Sequence, residues 1–329
     1  MKLLEVKNLK MYYEVVGRGW VRAVDDVSFE LDRGEGLGIV GESGCGKSSL
    51  GMTLLRILPE NAKIISGEVY LNGENILAMS EKRFRRKYRW KSISMVFQGA
   101  MNALNPLFTV GEQIIETIKI HDKNISDSAA LRRAKELLEM VGIDPERVKS
   151  YPFELSGGMK QRVVIAMALA LNPDILIADE PTTALDVIVQ SRILHLLKRL
   201  QRELGLSLIF ISHDVSVIAQ MVDHVAVMYA GKFLEYGRIE DVFLRPRHPY
   251  TYFLLRGVPD IKGEPRRLEW IPGTPPNLLN PPIGCRFHPR CPFRTEVCEK
   301  EEPKLINTDS NHYVACHRVD ELSLQMGEY

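Results

Sequence analysis

The sequence has little cysteine before its last fifth, no long apolar run and no charge imbalance, and each shortage excludes something. One cysteine, Cys45, stands apart; the other four are Cys285, Cys291, Cys298 and Cys316. The chain ahead of Cys285 therefore holds no disulfide framework, and in a reducing compartment the crowded four point to metal ligation ahead of disulfides. The longest apolar run, Val163 to Leu171, is far shorter than the about 20 residues a bilayer span needs. The opening Met1-Lys2-Leu3-Leu4-Glu5 breaks at Glu5, too early for a secretory signal. The expectation is a cytosolic protein with no membrane segment of its own. Lys plus Arg number 43 against 42 Asp plus Glu, so nothing global argues for nucleic acid or an acidic partner. What is present is core: 329 residues, 45% hydrophobic and 26% charged, enough for one large or two modest domains.

The chain is organised around Gly41-Glu42-Ser43-Gly44-Cys45-Gly46-Lys47-Ser48, which fits G-x-x-x-x-G-K-[ST]. Gly36-Leu37-Gly38-Ile39-Val40 before it reads as a buried strand, and Ser49 to Arg56 after it as a helix. That is the setting of a phosphate loop. Its glycines let consecutive backbone N–H groups converge on phosphate oxygens, and the helix N-terminus adds a favourable dipole. Lys47 supplies a point charge for the β- and γ-phosphates, and the Ser48 hydroxyl is placed to ligate Mg²⁺. Cys45 reads as a small loop residue, not a nucleophile.

Residues 1–35 alternate apolar and polar in short pieces around Gly17 and Gly19, as an antiparallel hairpin layer does. Tyr12 and Tyr13 end the first strand, suited either to stacking on a purine or to a cross-strand aromatic pair. Gly67 to Gly73 reads as a further hairpin strand. The basic run Lys82 to Lys91 reads as a solvated helix face, with an anionic lipid surface as the sharper alternative. Ile93 to Gln98 is a strand with a polar end. Residues 99–157 turn helical: Thr109–Ile118 and Ser128–Met140 carry i, i+3/i+4 spacing, the second starting at Ser126 or Ser128 and stopping at Gly142. Leu155-Ser156-Gly157-Gly158-Met159-Lys160-Gln161-Arg162 opens a helix to Leu171. A buried strand ending in Asp179-Glu180 follows, then helix Val187–Leu204, strand Ser207–Ser212, His213 and a helix–strand pair over Val215–Met228. Alternation of this kind predicts a mostly parallel sheet covered by helices. Composition shifts near 245 into a proline-rich segment and then the cysteines, which predicts a second, small, irregular domain.

Ligands of a parallel α/β sheet sit beyond the carboxyl ends of its strands, where the phosphate loop, Gln98, Asp179, Glu180 and His213 all stand. Asp179 suits the Mg²⁺ shell, Glu180 the attacking water, and His213 the γ-phosphate. Ser156-Gly157-Gly158 at a helix start makes a second anion site. Two such helix ends in one chain suggest two different ATP molecules across a dimer.

Taken together, the phosphate loop, Gln98, Leu155 to Gln161, Asp179-Glu180, Ala184-Leu185-Asp186 and His213 resemble an ABC-type ATPase over residues 1 to about 245. The Leu-Ser-Gly-Gly signature is the most specific of these. The resemblance implies an α/β fold: a phosphate-loop NTPase (RecA-like) core, an antiparallel β layer and a helical subdomain at about 99–157. It implies a head-to-tail dimer with ATP sandwiched between one chain's loop (Gly41, Ser43, Gly44, Cys45, Gly46, Lys47, Ser48, Ser49) and the other's signature (Ser156, Gly157, Gly158, Gln161). Tyr13 would stack on adenine, Ser48, Gln98 and Asp179 would serve Mg²⁺, Glu180 and His213 would be catalytic, and Asp186 would link the two sites.

The tail narrows the resemblance. His248-Pro249-Tyr250-Thr251, Ile271-Pro272-Gly273-Thr274-Pro275-Pro276 and Gly284-Cys285-Arg286-Phe287-His288-Pro289-Arg290-Cys291 resemble ATPases of the dipeptide/oligopeptide importers, with residues 246–329 as their C-terminal domain. One departure is Gly99-Ala100 after Gln98, where that family usually has an acidic residue and then proline. The spacing Cys285-x5-Cys291-x6-Cys298-x17-Cys316 fits neither zinc fingers nor ferredoxin runs. It leaves a cluster, zinc (with His288, His312 or His317 substituting) and free or paired thiols open. Resemblance implies a [4Fe–4S] cluster on the four cysteines, structural or sensing in role. It also implies a motor at the cytoplasmic face of the membrane, working with two permease subunits, an extracytoplasmic binding protein and a paralogous ATPase, a homodimer being the alternative. Oligosaccharide or nickel cargo is the near alternative to peptides. A soluble ABC ATPase of DNA repair or translation is the alternative of another class. Such proteins usually fuse two ATPase halves or carry coiled coils or basic tracts, whereas this sequence has one half and a near-neutral charge.

Overall fold

The computed structural model describes residues 2–257, 271–309 and 311–324. In chain order its strands and α-helices are β1 (Lys2–Val15), β2 (Gly19–Asp32), β3 (Gly36–Val40), α1 (Lys47–Leu54), β4 (Ala62–Leu71), β5 (Glu74–Asn75), α2 (Glu81–Lys87), β6 (Ile93–Val96), α3 (Val110–His121), α4 (Asp127–Met140) and α5 (Gly157–Ala168). Then come β7 (Ile175–Asp179), α6 (Val187–Leu204), β8 (Ser207–Ser212), α7 (Val215–Met221), β9 (His224–Tyr229), β10 (Lys232–Arg238), α8 (Ile239–Leu244), α9 (Pro249–Arg256), α10 (Glu296–Lys300), β11 (Ile306–Asp309) and β12 (His312–Val314). They fall into two compact units: residues 1–31, 36–77 and 210–329 in the first, 32–35 and 78–209 in the second.

The first unit holds a sheet in the order β2-β1-β4-β5, antiparallel across β1–β4 and β4–β5. Where the sequence reads as short pieces, the structure has two strands of 14 residues each. Asn8 (φ 46°) and Asp26 (φ 65°) break the alternation without ending the strands, and the β1–β4 register shifts between Lys7 and Lys10. The shift in β1 marks a bulge, and such breaks of period read as strand ends in a sequence. The β4–β5 hairpin turns at Asn72 (φ 51°) and Gly73 (φ 79°), two left-handed residues as a tight hairpin requires.

A second sheet of the same unit runs β11-β12-β10-β9-β3. Its β3–β9 pair is parallel, placing Gly38 against Val225, and along β9-β10-β12-β11 each strand is antiparallel to the next. Every residue of β3 is buried. A Cβ on Gly38 would stand 2.7 Å from Ile218, so glycine there lets α7 lie close on the strand. The tail is part of this unit: β12 adds to the edge of β10, pairing Glu235 with Val314.

In the second unit β6 and β7 pair in parallel, Ile93 with Ile175 through Val96 with Ala178, and both are wholly buried. Buried apolar runs of this sort belong to parallel sheets covered on both faces. Helices α3, α4 and α5 pack on one another. Thr109 closes a capping box with Glu112 at the start of α3, and Ser126, not Ser128, caps α4. Helix α5 stops at Ala168, short of Leu171, because the chain turns through Asn172 (φ 52°) into β7. The basic face of α2 is exposed, with Phe84 alone turned inward. Among the described residues no helix is long and apolar enough to cross a membrane.

Candidate functional site

The phosphate loop lies in the first unit between β3 and α1. Gly41 (φ +159°) and Gly46 (φ +111°) admit no side chain: a Cβ would stand 2.0 Å from the Met228 carbonyl oxygen at the first and 1.9 Å from that of Ala23 at the second. Gly46 also occupies the N-cap of α1, where no side chain caps the first-turn N–H groups. Those donors are what an anion at a helix start would engage. Lys47 is 6% exposed. Its ammonium donates to the carbonyls of Gly41 at 2.7 Å and Glu42 at 2.9 Å. The loop thus folds round its own cation, already stripped of most water where phosphate charge would arrive. Burial pushes the Cys45 thiol up, against the pull of Lys47, which keeps it protonated and unreactive. Ser43 and Gly44 are exposed, Ser48 and Ser49 half-buried. The Tyr13 hydroxyl meets Ser49 Oγ at 3.0 Å, so this ring stands by the loop helix.

In the second unit Asp179 closes β7 and is 2% exposed. Glu180 follows with φ 45°, a left-handed backbone costing on the order of 1–3 kcal/mol for a non-glycine residue. Glu180 Oε2 accepts from Gln98 Nε2 at 2.9 Å and from Thr183 Oγ1 at 3.0 Å. Two residues taken from separate strand ends thus share a hydrogen bond. Ser156 caps α5, its Oγ accepting from the Met159 N–H at 3.4 Å, and Ser156 and Gly157 are exposed. At Gly158 a Cβ would stand 2.6 Å from Val189, so glycine there lets α5 and α6 approach. Gln161 is 3% exposed. It lies more than one turn into the helix and faces the interior of its unit. Asp186 caps α6, accepting from the Val189 N–H at 2.9 Å. His213 follows β8 in the first unit and is exposed.

The four tail cysteines line one pocket with Phe287 and Phe293. A Cβ on Gly284 (φ +72°) would stand 2.4 Å from the Cys298 carbonyl oxygen, and the Cys285 N–H donates to that same oxygen at 2.8 Å. Glycine is what lets the two cysteine segments touch. Burial, helped by the neighbouring thiols, pushes Cys285 up to about 12 and Cys316 up to about 11. Among the described residues no group of three or more His, Cys, Asp or Glu is disposed to hold one metal ion. A tetrahedral zinc with Zn–S of about 2.3 Å needs its sulfurs about 4 Å apart. A cluster takes one thiolate per iron and spreads them wider.

The contacts that tie loop to tail have no local signature in sequence. Arg290 pairs with Glu42 at 2.6 Å, and the Glu42 N–H donates to the Tyr250 hydroxyl at 2.9 Å. Glu235 is wholly buried and held by His312 at 2.7 Å and by the N–H groups of Arg247 and His248 at 2.7 and 3.0 Å.

Comparison with known proteins agrees with this geometry. Residues 24–183 match the family profile for ABC transporters, and residues 234–298 that of the oligopeptide/dipeptide transporter C-terminal region. The chain is 44% identical over 320 residues to a dipeptide transport ATP-binding protein DppD of Caldanaerobacter subterraneus subsp. tengcongensis, covering 97% of this chain and 98% of that protein. It is 48% identical over 318 residues to an oligopeptide transport ATP-binding protein OppD of Bacillus subtilis, covering 95% and 88%. Among solved structures it resembles the dimeric post-hydrolysis state of the ATP-binding cassette MJ0796 bound to ADP and Pi, with a TM-score of 0.63 and 30% identity over 72% of this chain and 98% of that one.

Proposed function

We infer function from one premise: this chain belongs to the ABC transporter ATPases and carries the oligopeptide/dipeptide transporter C-terminal region. It is the ATP-hydrolysing motor subunit of an importer, and its cargo class is di- and oligopeptides, which the names of its relatives support. The observation that carries the ATP reading is the phosphate loop, closed on a buried Lys47 and tolerating only glycine at 41 and 46. Gly41 to Ser49 would hold the phosphates, Tyr13 the adenine, and Ser48, Gln98 and Asp179 the Mg²⁺. Water attacks the γ-phosphorus, its proton passes to Glu180, and the bond to the β,γ-bridging oxygen breaks to leave ADP and phosphate. Gln98, bonded to Glu180, would sense that event, and His213 would contact the γ-phosphate.

Ser156, Gly157 and Gly158 would serve the ATP of a second ATPase chain, a paralogue in our reading. The exposure of Ser156 and Gly157 supports that division. Two membrane permeases and an extracytoplasmic binding protein would complete the importer, with this subunit at the cytoplasmic face. Residues 1–245 form the ATPase domain, with about 99–157 as its helical part, and 246–329 the tail domain, of which 258–270, 310 and 325–329 lie outside the described residues. Cys285, Cys291, Cys298 and Cys316 would hold a [4Fe–4S] cluster. That the four cysteines line one pocket supports a shared metal group, and thiols protonated without metal would release protons on binding.

The test is steady-state ATP hydrolysis with Mg²⁺, alongside iron and acid-labile sulfide analysis of protein purified without oxygen. Turnover that vanishes in Lys47→Ala is the expected result, and turnover that survives it would remove the ATPase reading. Iron and sulfide, lost together in Cys291→Ser, are expected; zinc or no metal would remove the cluster reading alone.

A further inference from the structure

Two arginines of the tail, each next to a cysteine, pair with carboxylates of the same unit: Arg290 with Glu42 in the phosphate loop and Arg286 with Asp25 on β2. Arg290 precedes Cys291 and is 7% exposed. Its guanidinium spans both carboxylate oxygens of Glu42 at 2.6 and 3.0 Å. Its remaining donors are used too: Nε bonds the Pro272 carbonyl at 2.7 Å, Nη1 the Tyr229 hydroxyl at 3.2 Å, and Nη2 the carbonyls of Ile271 and Gly273 at 3.4 Å. Glu42 is the second residue of the phosphate loop and is held at three points. Arg290 takes its carboxylate, Tyr250 Oη accepts its N–H, and Lys47 donates to its carbonyl. Tyr250 is wholly buried and packs with Tyr229 and Phe287 at ring distances of 4.6 and 5.4 Å.

Arg286 follows Cys285 and is 3% exposed. It donates to the Asp25 carboxylate and to the Ala230 carbonyl. The other Asp25 oxygen accepts from the Tyr12 hydroxyl at 2.6 Å, and Tyr12 neighbours Tyr13, whose hydroxyl meets Ser49. The next residue after Ala230, Gly231, donates its N–H to the Cys45 carbonyl at 2.8 Å and accepts from the Asp25 N–H at 2.8 Å. A Cβ on Gly231 would stand 2.4 Å from the Arg22 carbonyl oxygen, so this junction has no slack.

We propose that Arg286 and Arg290 are positioning residues of the nucleotide site, so that the conformation of segment 285–291 sets how tightly the chain holds nucleotide. The inference rests on the reading of Gly41–Ser48 as the ATP loop. A bidentate, desolvated guanidinium–carboxylate pair has defined geometry, unlike a flexible surface ion pair. Its natural use is to fix where a loop stands. Lysine cannot replace Arg290, since one ammonium cannot span two carboxylate oxygens and the carbonyls behind it. Coupling of this kind is reciprocal: nucleotide should in turn hold the tail segment.

The experiment measures the Kd of a fluorescent ATP analogue with Mg²⁺ for the full chain, alongside peptide-resolved alkylation of Cys45 without nucleotide. Arg290→Lys and Glu42→Gln should each weaken binding about tenfold, within the 5–150-fold range usual for coupled sites. The double variant should be no weaker than the worse single one, because the pair acts as a unit. Cys45, 4% exposed in the native loop, should alkylate faster in both. A merely structural pair would lower the melting temperature and leave the Kd of the folded protein alone. A Kd within about twofold of wild type in both single variants therefore overturns the proposal. Should the native chain bind no nucleotide, alkylation decides: faster Cys45 labelling in the variants keeps the clamp while the ATPase reading fails, and unchanged labelling overturns both.

Discussion

Two glycine-rich helix starts in this chain look alike in sequence and are finished differently in space. At the first, Gly46 caps α1 without a side chain, and the loop before it is enclosed by Lys47, Tyr250, Arg290 and the Gly231 N–H. At the second, Ser156 caps α5 with its own hydroxyl and stands exposed beside Gly157. Gly41 and Gly46 differ from Gly157 in the same sense, although Gly158 is packed against Val189 and Gly44 is open. A Cβ at 41 or 46 would meet backbone oxygen at 2.0 or 1.9 Å, whereas one at Gly157 would meet its first atom at 3.7 Å. In our proposal the first would be one chain's phosphate site and the second the half offered to a partner. A dimer that shares ATP needs one of each.

The largest effect that bears on this contrast lies in the chemistry that follows it. Glu180→Gln should cut hydrolysis by about 10²–10⁴-fold, the usual worth of a general base, and leave nucleotide affinity intact. Equal loss of affinity would mean that Glu180 shapes the pocket instead of acting on water. Next, Ser156→Arg at the open helix start should lower turnover by about 10²-fold, comparable to removing one preorganised donor, and leave the affinity of an isolated chain unchanged. If the isolated chain bound nucleotide more weakly, the second end would not be open in the sense argued here.

Stability sharpens the comparison further. Gly41→Ala should cost at least about 1–3 kcal/mol from backbone strain alone, and more from the clash. Gly157→Ala should stay within about 0.5 kcal/mol, as changes at open positions do. Denaturant midpoints would show whether the two glycines are as different as the space around them. The smallest effect concerns the clamp at acid pH. Burial pushes the Asp25 carboxyl up, but the Tyr12 hydroxyl and the Arg286 and Lys232 cations more than offset this and leave it below its ordinary 3.8. A carboxylate with a depressed native pKa stabilises fully above its unfolded value and loses that contribution as pH falls through the native one. Acid unfolding should therefore be steeper below pH 3.8 in the wild type than in Asp25→Asn, which is already weakened at pH 7. Parallel curves would show that Asp25 contributes nothing through its charge.

Much of the secondary structure was legible where one period runs unbroken. Helix Val187–Leu204 and strand Ser207–Ser212 match the reading residue for residue, each bounded by its own stop: Asp186 before the helix and Gly205 in the left-handed region after it. Reading failed where backbone geometry breaks the period without ending the element, as at Asn8 and Asp26 in the long first strands. Phosphate-loop residues could be named because the chemistry dictates their types at fixed spacing. The partners of that loop could not, since nothing near Glu42 in the chain announces Arg290.

The sequence by itself determined the loop, the signature, the acidic strand end and the four thiols, because each is a short run whose residue types answer to a chemical need. It also determined which helices and strands form, through periods of a few residues. Tertiary structure alone decided which glycine-rich helix start is held by distant residues and which stands exposed. It decided, too, that Gln98 meets Glu180, and that the tail's arginines rest on the loop and on Asp25. The physical reason is range. Periodicity and capping act within a turn or two of chain, while a guanidinium finds its carboxylate only after the strands and turns between them have set the path.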